Sequence, residues 1–596
     1  ASARIGAKTL LLTMNMDHIA QMSCNPAIGG IAKGQVTREI DALGGLQGKV
    51  ADASAIQFRM LNKKRGPAVW SPRAQCDKVC YQRAMKRELE ICDNLDIKQA
   101  ELTSFIVSRG KIQGLMTQFD EELLCKAIVL CPGTSMSGKL HYGLANFSGG
   151  RAGDFASNRM PVALTEELGL KLGRLKTGTP PRVLSKTIDF GKMERQEAEE
   201  VSSLFSFFAC DDVFPRAERK NMPCYTARTT RHTSDIIRKN ISKSPLYTGK
   251  ISGTGTRYCP SFEDKVVKFP HHETHIIFLE PEGEYTEEYY LNGISTSFPV
   301  ENQIEMLHSI PGLENSVISR YAYAIEYDFV FPYQIGRTLQ TKKWENLFCA
   351  GQINGTSGYE EAGGQGLVAG MNAAKFAKGT EPLELPRDNS YIGVMIDDLV
   401  TKDISEPYRL FTSRAEHRLS IRQDNADLRL CRFAYENGLL GAAKFSKFEN
   451  YERKLDEAKK FLSQRTKDAK DIKNVILSLK GDMSGMPKDF DPGVLSLEND
   501  SQSIKILEQI FIQTHYEGYI KIESRGVDKI KRLERMKIPE GFDYSKIKSL
   551  SNEARTKLEK VRPSTIAQAS RIDGVSHADI ALIHIFIRKH NGPPVK

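Results

Sequence analysis

Short apolar runs that end at glycine or proline recur through the first two thirds of the chain. Residues 6–13, GAKTLLLT, predict a buried parallel strand, and the preceding ASARIG predicts the end of a helix. Residues 127–131 in KAIVLC predict another buried strand, and ENLFC predicts a third. A glycine-rich loop and a small-residue helix from about Glu360 follow that third strand. Free N–H groups point outward at such a junction, which therefore suits a phosphate or a polarised ring.

The stretch between the second and third strands predicts an insertion. Its later part, HIIFLEPEGEYTEEYYLNGISTSFP, alternates in polarity and indicates β-structure. After about Pro386 the pattern becomes helical with mixed charge, and the last helices are interrupted at Pro563 and Gly574. We therefore expect a doubly wound, Rossmann-like α/β domain with an inserted α/β domain, followed by an all-α C-terminal domain. The predicted boundaries are 1–180 and 321–386 for the two parts of the first domain, 181–320 for the insertion and 387–596 for the helical domain.

The composition is that of a globular protein with an excess of basic residues. The chain has 596 residues, of which 40% are hydrophobic and 27% charged, and no apolar run approaches the roughly 18 residues of a membrane helix. The formal net charge is +10, and residues 501–596 hold 18 Lys and Arg against 11 Asp and Glu. A basic tail on a nearly neutral body suggests a polyanionic partner, tRNA or another nucleic acid. A solvated basic surface is the alternative explanation.

Eleven cysteines are scattered without a disulfide-type pattern, which favours a reducing compartment. The closest pair, Cys76 and Cys80 in CDKVC, is a weak zinc motif, and its spacing predicts one face of a helix instead. Residues 21–35, QMSCNPAIGGIAKGQ, place Cys24 before paired glycines, where backbone can approach a ligand closely. A surface turn with a buried cysteine would give the same pattern. No metal site is predicted.

A dozen long motifs in order resemble the MnmG (GidA) family over essentially the whole chain. They include QMSCNPAIGGIAKG, RGPAVWSPRAQ, GRLKTGTPPR, RYCPSFEDK, NGISTS, AIEYDF, AGQINGTSGYEEA and EPYRLFTSRAEHRL. The resemblance implies a flavin domain of the glutathione-reductase type. It also implies an FAD-dependent enzyme that modifies carbon 5 of the wobble uridine of tRNA, with methylenetetrahydrofolate as one-carbon donor and NADH as reductant. A homodimer that forms a heterotetramer with an MnmE-type GTPase is expected, in the bacterial cytoplasm or, alternatively, the mitochondrial matrix.

The chemistry that this family performs calls for a nucleophilic cysteine, because carbon 5 of uracil becomes nucleophilic only after a thiolate adds at carbon 6. Cys24 and Cys259 lie in family motifs and are both candidates. The glycine turn after Cys24 is expected to open a helix whose N-terminus would stabilise a thiolate. Cys224 is a weaker third candidate, and Cys349 is expected in the core.

The resemblance also implies binding residues. FAD contacts are expected at Leu102, Ser157, Gly351, Gln352 and Asn354. The nicotinamide-binding stretch comprises Gly255, Arg257, Tyr258, Pro260, Ser261, Glu263, Asp264 and Lys265. Lys176, Arg182, Arg414 and Arg418 are candidates for tRNA phosphate or folate carboxylate. The four-residue spacing of Arg414, Arg418 and Arg422 suggests one helix face, directed at phosphate or salt-bridged.

The family's first strand and its glycine-rich FAD fingerprint are expected upstream of Ala1, so we expect the chain as given to bind FAD poorly. Two other functions stay open at this point. One is the related folate- and FAD-dependent tRNA uracil-5-methyltransferase, and the other is a non-catalytic fragment that binds tRNA and the partner. Mass spectrometry of the product would distinguish the bare methyl group that the first enzyme adds from an aminomethyl group.

Overall fold

The computed structural model describes residues 1–199, 204–208, 221–255, 260–464, 466–479, 492–495, 497–498 and 501–591. The strands are β1 (Thr9–Thr13), β2 (Ala27–Gly29), β3 (Ala55–Leu61), β4 (Ser71–Cys76), β5 (Leu95–Gln99), β6 (Leu102–Ser108), β7 (Lys111–Thr117), β8 (Glu122–Leu124), β9 (Ile128–Leu130), β10 (Lys139–Tyr142), β11 (Ala145–Ser148), β12 (Leu172–Thr179), β13 (Arg182–Leu184), β14 (Glu194–Gln196), β15 (Cys224–Arg228), β16 (Thr254–Gly255), β17 (Ile276–Pro281), β18 (Glu288–Asn292), β19 (Ile318–Arg320), β20 (Tyr323–Val330) and β21 (Leu347–Cys349).

The helices are α1 (Lys33–Ala42), α2 (Gln47–Ser54), α3 (Lys78–Glu90), α4 (Arg159–Glu166), α5 (Arg231–Asn240), α6 (Phe262–Lys268), α7 (Val300–His308), α8 (Tyr359–Ala377), α9 (Tyr391–Thr401), α10 (Ala426–Glu436), α11 (Ala442–Leu462), α12 (Lys467–Ser478), α13 (Ser501–Arg535), α14 (Asn552–Val561), α15 (Ile566–Ser570) and α16 (His577–Asn591). Every strand precedes residue 350, so the described part of 387–591 is helical, as predicted. No helix among the described residues has the length and apolar character needed to cross a bilayer.

Two parallel strand pairs form the doubly wound part. Strand β1 pairs with β5, and β21 pairs with β9. Helices α1 and α8 pack against each other beside these pairs. The apolar residues of β9, β21 and α8 belong to one large core that continues into α9, α10 and α11. The predicted strands at 127–131 and before the glycine-rich loop, and the helix from about Glu360, are therefore confirmed.

Strands β12 and β20 form a long antiparallel pair from Leu172↔Val330 to Thr179↔Tyr323. They belong to a mixed sheet in the order β11-β10-β20-β12-β16. Between them the chain builds a second sheet, β14-β15-β17-β18-β13-β19, with its own core on α5, α6 and α7. The predicted fold class, an α/β domain with an inserted α/β domain and a helical C-terminal domain, is confirmed, while the boundaries at 180, 320 and 386 stay predictions.

Two expectations about local structure were wrong. Residues 1–6 form hydrogen-bonded turns rather than the end of a helix. Strand β1 is half-exposed rather than buried, and Leu10 is 43% exposed, because only β5 pairs with β1 among the described strands. An apolar run predicts a strand, whereas its burial depends on the neighbours that cover it.

A buried charge cluster holds the C-terminal helices to α9. Its members are Asp397 on α9 and three guanidiniums, those of Arg337, Arg387 and Arg571. The Asp397 carboxylate accepts hydrogen bonds from Arg337 at 2.6 Å, Arg571 at 2.6 Å and Arg387 at 3.0 Å. Glu534 on α13 also pairs with Arg337 and Arg571. Helix α9 and the terminal helices are thus joined by buried ion pairs.

Candidate functional site

Cys24 lies in the loop before β2 and meets residues of the insertion and its entry strand. Its Sγ atom is 3.1 Å from the Tyr290 hydroxyl on β18 and 3.8 Å from the Gly178 carbonyl oxygen on β12. Cys24 is half-buried and forms no disulfide. Strand β2 separates Cys24 from α1, so the expected helix N-terminus is not the group that contacts the thiol. Side chains distant in sequence surround it instead.

Arg182 fixes the backbone of this loop. The guanidinium Nη2 donates to the carbonyl oxygens of Ser23 at 3.1 Å and Cys24 at 3.0 Å, while Nη1 donates to Thr179 Oγ1 at 2.6 Å. Nε donates to Glu282 at 2.9 Å. Burial opposes the charge of Arg182, but Glu282 and Cys24 outweigh it and raise the Arg182 pKa. Arg182 therefore positions Cys24 and stays cationic beside it.

Lys78, the first residue of α3, adds a second cation. Its ammonium lies 3.0 Å from the Glu282 carboxylate that Arg182 also contacts. Burial is the largest effect on Lys78 and lowers its pKa, although Glu282 partly offsets this. Two cations, Lys78 and Arg182, thus share the Glu282 carboxylate beside the Cys24 loop.

A second feature is the edge formed by the loops after β9 and β21. Because these strands are parallel, residues 131–135 and 350–355 leave the sheet at the same edge, where ligands of doubly wound folds bind. A Cβ added at Gly133 would lie 3.7 Å from the Gln352 side-chain oxygen, so the two loops are in contact. Gly351 adopts a φ of +88°, a conformation that favours glycine.

Ser157 joins this edge through the 131–135 loop, because its N–H donates to the Ser135 carbonyl oxygen at 2.8 Å. Ser157 Oγ and Asn354 Oδ1 are buried and have no hydrogen-bond partner among the described residues. Buried polar atoms normally have partners, so two orphaned oxygens at one edge indicate a ligand. Leu102, at the start of β6, is buried and pairs with Thr117. The residues expected to bind FAD thus include two unsatisfied acceptors.

Lys176 and the start of the nicotinamide stretch meet on the β12 sheet. Lys176 is buried, pairs with Gly255 on β16 and lies opposite Glu326 on β20. Glu326 Oε1 accepts the N–H groups of Ser252 at 2.8 Å and Gly253 at 2.7 Å, and Oε2 lies 2.8 Å from His141 Nε2. Burial opposes the Glu326 charge, but His141 and these amides lower its pKa to about 2. Glu326 therefore anchors the backbone that leads towards residue 256.

The rest of that stretch divides in two. Arg257, Tyr258 and Cys259 lie outside the described residues. Pro260 and Ser261 precede α6, and Ser261 Oγ accepts the Asp264 N–H at 3.3 Å as the N-cap. The side chains that follow serve the fold: Glu263 accepts the Ser297 N–H, Lys265 donates to the Gly293 carbonyl, and Asp264 pairs with Lys268. Nicotinamide binding by this stretch stays a prediction.

The arginines at four-residue spacing do not form a helix face. Residues 411–421 are a short 3-10 turn followed by turns, because backbone and ion-pair contacts outside the segment set its path. Arg414 contacts Asp398 at 3.3 Å and the Arg409 carbonyl, Arg422 is buried against Asp424, and Arg418 is exposed. Of the two substrate candidates here, Arg418 is the one presented to solvent.

The other cysteines are placed differently from Cys24. Cys224 is buried against Gln57, and burial raises its pKa to about 12, so it is a poor source of thiolate. Cys349 is in the core, as predicted. Cys76 and Cys80 do not share a helix face, because Cys76 ends β4 and Cys80 lies in α3, whose N-cap is Asp77. No group of metal-binding side chains occurs among the described residues.

Comparison with known proteins agrees with this architecture. The family model described as Glucose inhibited division protein A matches residues 1–381, and one described as tRNA modifying enzyme MnmG/GidA C-terminal helical bundle matches residues 526–593. The tRNA uridine 5-carboxymethylaminomethyl modification enzyme MnmG of Protochlamydia amoebophila is 49% identical over 597 residues, covering 100% of this chain and 94% of the relative. Its counterpart in Thermodesulfovibrio yellowstonii is 46% identical over 607 residues, covering 99% and 95%.

The chain belongs to the MnmG/GidA family. A crystal structure of Aquifex aeolicus GidA superposes with a TM-score of 0.87 at 46% identity, covering 98% of this chain and 95% of that one. The resemblance read from the motifs is therefore confirmed. MnmG/GidA membership identifies the α/β body as the flavin-type domain expected from the sequence.

Sequence reasoning missed the partners of Cys24. Tyr290, Glu282 and Lys78 are far from Cys24 in the chain. Lys78 lies in the CDKVC segment, and the other two lie in the alternating stretch that predicts β-structure. The strand pattern of β17 and β18 indicated a sheet, but nothing local shows which edge faces the cysteine loop. Only the docking of the insertion on the MnmG/GidA body brings these side chains together.

Proposed function

We propose that the chain is a flavin-dependent tRNA-modifying enzyme that adds a carboxymethylaminomethyl or aminomethyl group to carbon 5 of the wobble uridine. The observation that carries this proposal is the placement of Cys24, a half-buried thiol in contact with Tyr290 whose backbone carbonyl accepts a hydrogen bond from the buried Arg182 guanidinium. The MnmG relatives bear the name of this tRNA modification and match along the whole chain. We expect the reaction in a bacterial cytoplasm.

In this proposal, Cys24 Sγ adds to carbon 6 of the uracil ring, and the ring electrons move towards the carbon 4 oxygen as an enolate. Carbon 5 then attacks the methylene carbon that we take to come from methylenetetrahydrofolate, breaking one of its bonds to the folate. The amine of glycine or ammonia displaces the second folate nitrogen from that carbon, so tetrahydrofolate leaves as the new C–N bond forms. Loss of the carbon 5 proton and departure of Sγ restore the aromatic ring. Arg182 keeps the Cys24 backbone in place throughout, since it holds two carbonyl oxygens of the loop. Cys259 remains a second candidate nucleophile.

The edge after β9 and β21 fits FAD, because two buried oxygens there lack partners. Asn354 Oδ1 would accept a hydrogen bond from the cofactor, the Ser157 hydroxyl could accept or donate one, and the loops at Gly351 and Gln352 would contact it. When bound, FAD supplies the oxidation–reduction chemistry of the one-carbon unit. We propose NADH as the reductant, with Gly255 to Lys265 as its binding stretch.

The remaining partners are proposed from charge and family. Residues 501–596 carry the excess of basic residues, which suits the tRNA backbone. Lys176 and Arg418 are candidates for phosphate or carboxylate groups of the substrates. A homodimer, and a heterotetramer with an MnmE-type GTPase, complete the proposal.

The catalytic part is tested with tRNA isolated from cells that lack the modification. The purified chain is incubated with its cofactors and the GTPase, and nucleosides are measured by mass spectrometry. Cys24→Ser is expected to lower product formation at least 100-fold, whereas Cys92→Ser, at a cysteine after the end of α3, leaves it unchanged. Full activity of Cys24→Ser would remove Cys24 as the nucleophile. Appearance of a bare methyl group would assign a methyltransferase instead.

The flavin part is tested separately by titrating FAD and following its fluorescence. Ser157→Ala removes a hydroxyl that has no protein partner in the described chain, so protein stability should not change. Loss of one hydrogen bond, worth about 1 kcal/mol, weakens FAD binding about fivefold. Ser148→Ala, on the exposed strand β11, is the control and should bind FAD like the parent. Equal affinity of both variants would place the cofactor away from Ser157.

A further inference from the structure

The Tyr290 hydroxyl is in hydrogen-bond contact with the Cys24 thiol, with 3.1 Å between Oη and Sγ. Tyr290 lies on β18, inside the insertion, and its ring is buried. Cys24 belongs to the flavin-type domain. The contact therefore forms only when the insertion is docked on that domain.

The Tyr290 ring is held in place from one side by Arg182. The guanidinium carbon lies 5.0 Å from the ring centroid, and the same guanidinium donates to the Cys24 carbonyl at 3.0 Å. Arg182 is itself anchored by Glu282. One cation thus orients both members of the Cys24–Tyr290 pair, which leaves the hydroxyl little freedom to turn from the sulfur.

A phenol hydroxyl at this distance from a thiolate acts as a hydrogen-bond donor, because the phenol keeps its proton at a pH where a cysteine has lost its own. Such a donor has two opposing effects. It stabilises the anion, so more of the cysteine is ionised at neutral pH, and it makes each thiolate a weaker nucleophile.

We propose that Tyr290 is a positioning residue for the reaction, whose hydroxyl donates a hydrogen bond to the Cys24 thiolate and directs Sγ towards the substrate. The nucleophilic use of Cys24 rests on the proposed function, but the hydrogen bond does not. The insertion thereby contributes a group to the reacting thiol, so the active form of Cys24 requires both domains in contact.

The test measures alkylation of Cys24 by iodoacetamide in the full chain between pH 6 and 10, with the Cys24 peptide quantified by mass spectrometry. Tyr290→Phe keeps the ring and removes only the hydroxyl. The pH midpoint of alkylation should rise by about one pH unit, and the plateau rate at high pH should rise about threefold, as a nucleophilicity slope of roughly 0.4–0.5 requires. A purely structural role of Tyr290 would not produce both changes.

Tyr289→Phe is the matched control, because Tyr289 is the preceding residue on β18, packs against Phe190 and faces the other side of the sheet. It should leave the midpoint and the plateau unchanged. An unchanged profile in Tyr290→Phe, the same change in Tyr289→Phe, or failure of parental Cys24 to react at any pH would each overturn the proposal. Turnover on tRNA is recorded in parallel, so a chain that lacks tRNA activity yet shows the alkylation shift would refute the proposed function alone.

Discussion

The charge cluster around Asp397 yields a quantitative prediction about how the C-terminal helices are attached. Asp397 is 2% exposed and contacts three guanidiniums. Burial opposes its charge, but Arg571, Arg337 and Arg387 outweigh burial and lower the Asp397 pKa from 3.8 to about 2. The difference corresponds to about 2 kcal/mol in favour of the folded carboxylate. Removing one member of a buried ion cluster costs about 3–5 kcal/mol, because the remaining charges lose their partner.

We therefore expect Asp397→Asn to lower the opening free energy of α15 by about 3 kcal/mol at pH 7. Hydrogen exchange of the α15 amides measures this directly and does not require the whole chain to unfold in one step. Asp403→Asn is the control, since its 3.0 Å contact with Lys560 is exposed and worth no more than about 1 kcal/mol.

The pH dependence gives a second check on the same variant. The folded pKa of Asp397 is depressed, so its contribution is complete above about pH 4 and is lost as the pH falls towards 2. The difference between parent and Asp397→Asn should thus be constant from pH 8 to 5. An effect below 1 kcal/mol at pH 7, or equal to that of Asp403→Asn, would refute the reasoning.

Three further predictions follow from single buried groups. Burial raises the pKa of Glu508 on α13 to about 7. The free energy of opening α13, measured by hydrogen exchange, should therefore fall by about 3 kcal/mol as the pH rises from 4.5 to above 7. Glu508→Gln should remove this pH dependence. Gly29→Ala should destabilise the chain by more than about 2 kcal/mol, because φ at Gly29 is +88° and the new Cβ would lie 2.3 Å from the Pro72 carbonyl oxygen. Chemical denaturation measures this loss, and an unchanged denaturation midpoint would contradict the prediction. Glu326→Gln should speed exchange of the Gly253 amide about tenfold, since a carboxylate acceptor is lost, and unchanged protection would show that the carboxylate does not anchor that segment.

Much of the architecture follows from local signals. Apolar runs ending at glycine predicted β9 and β21, and the breaks at Pro563 and Gly574 fall between α14, α15 and α16. Such signals succeed because proline and glycine interrupt a helix through the backbone itself, whatever lies around them. The exposure of β1 had no such local signal, because it depends on which strands lie beside it.

The site was less accessible to sequence reasoning. The spacing of Cys76 and Cys80 suits a helix face, but Asp77 begins the helix between them, and an aspartate at that position is itself an N-cap signal. The arginine series had a helical period, yet Arg414 turns to a buried carboxylate on α9 instead. The Cys24–Tyr290 contact joins residues 266 positions apart, a separation for which one sequence carries no pairing information.

The pairing of β12 with β20 has a consequence for the order in which the chain assembles. Thr179 and Tyr323 are partners in this ladder, so forming it closes a loop of roughly 140 residues, at an entropic cost of about 4 kcal/mol. A collapsed insertion brings the two strand ends together and shortens that loop. We therefore expect the inserted sheet to fold before the β12–β20 ladder is complete. A slow phase in refolding would then correspond to the formation of this ladder in the flavin-type domain, after the insertion has folded.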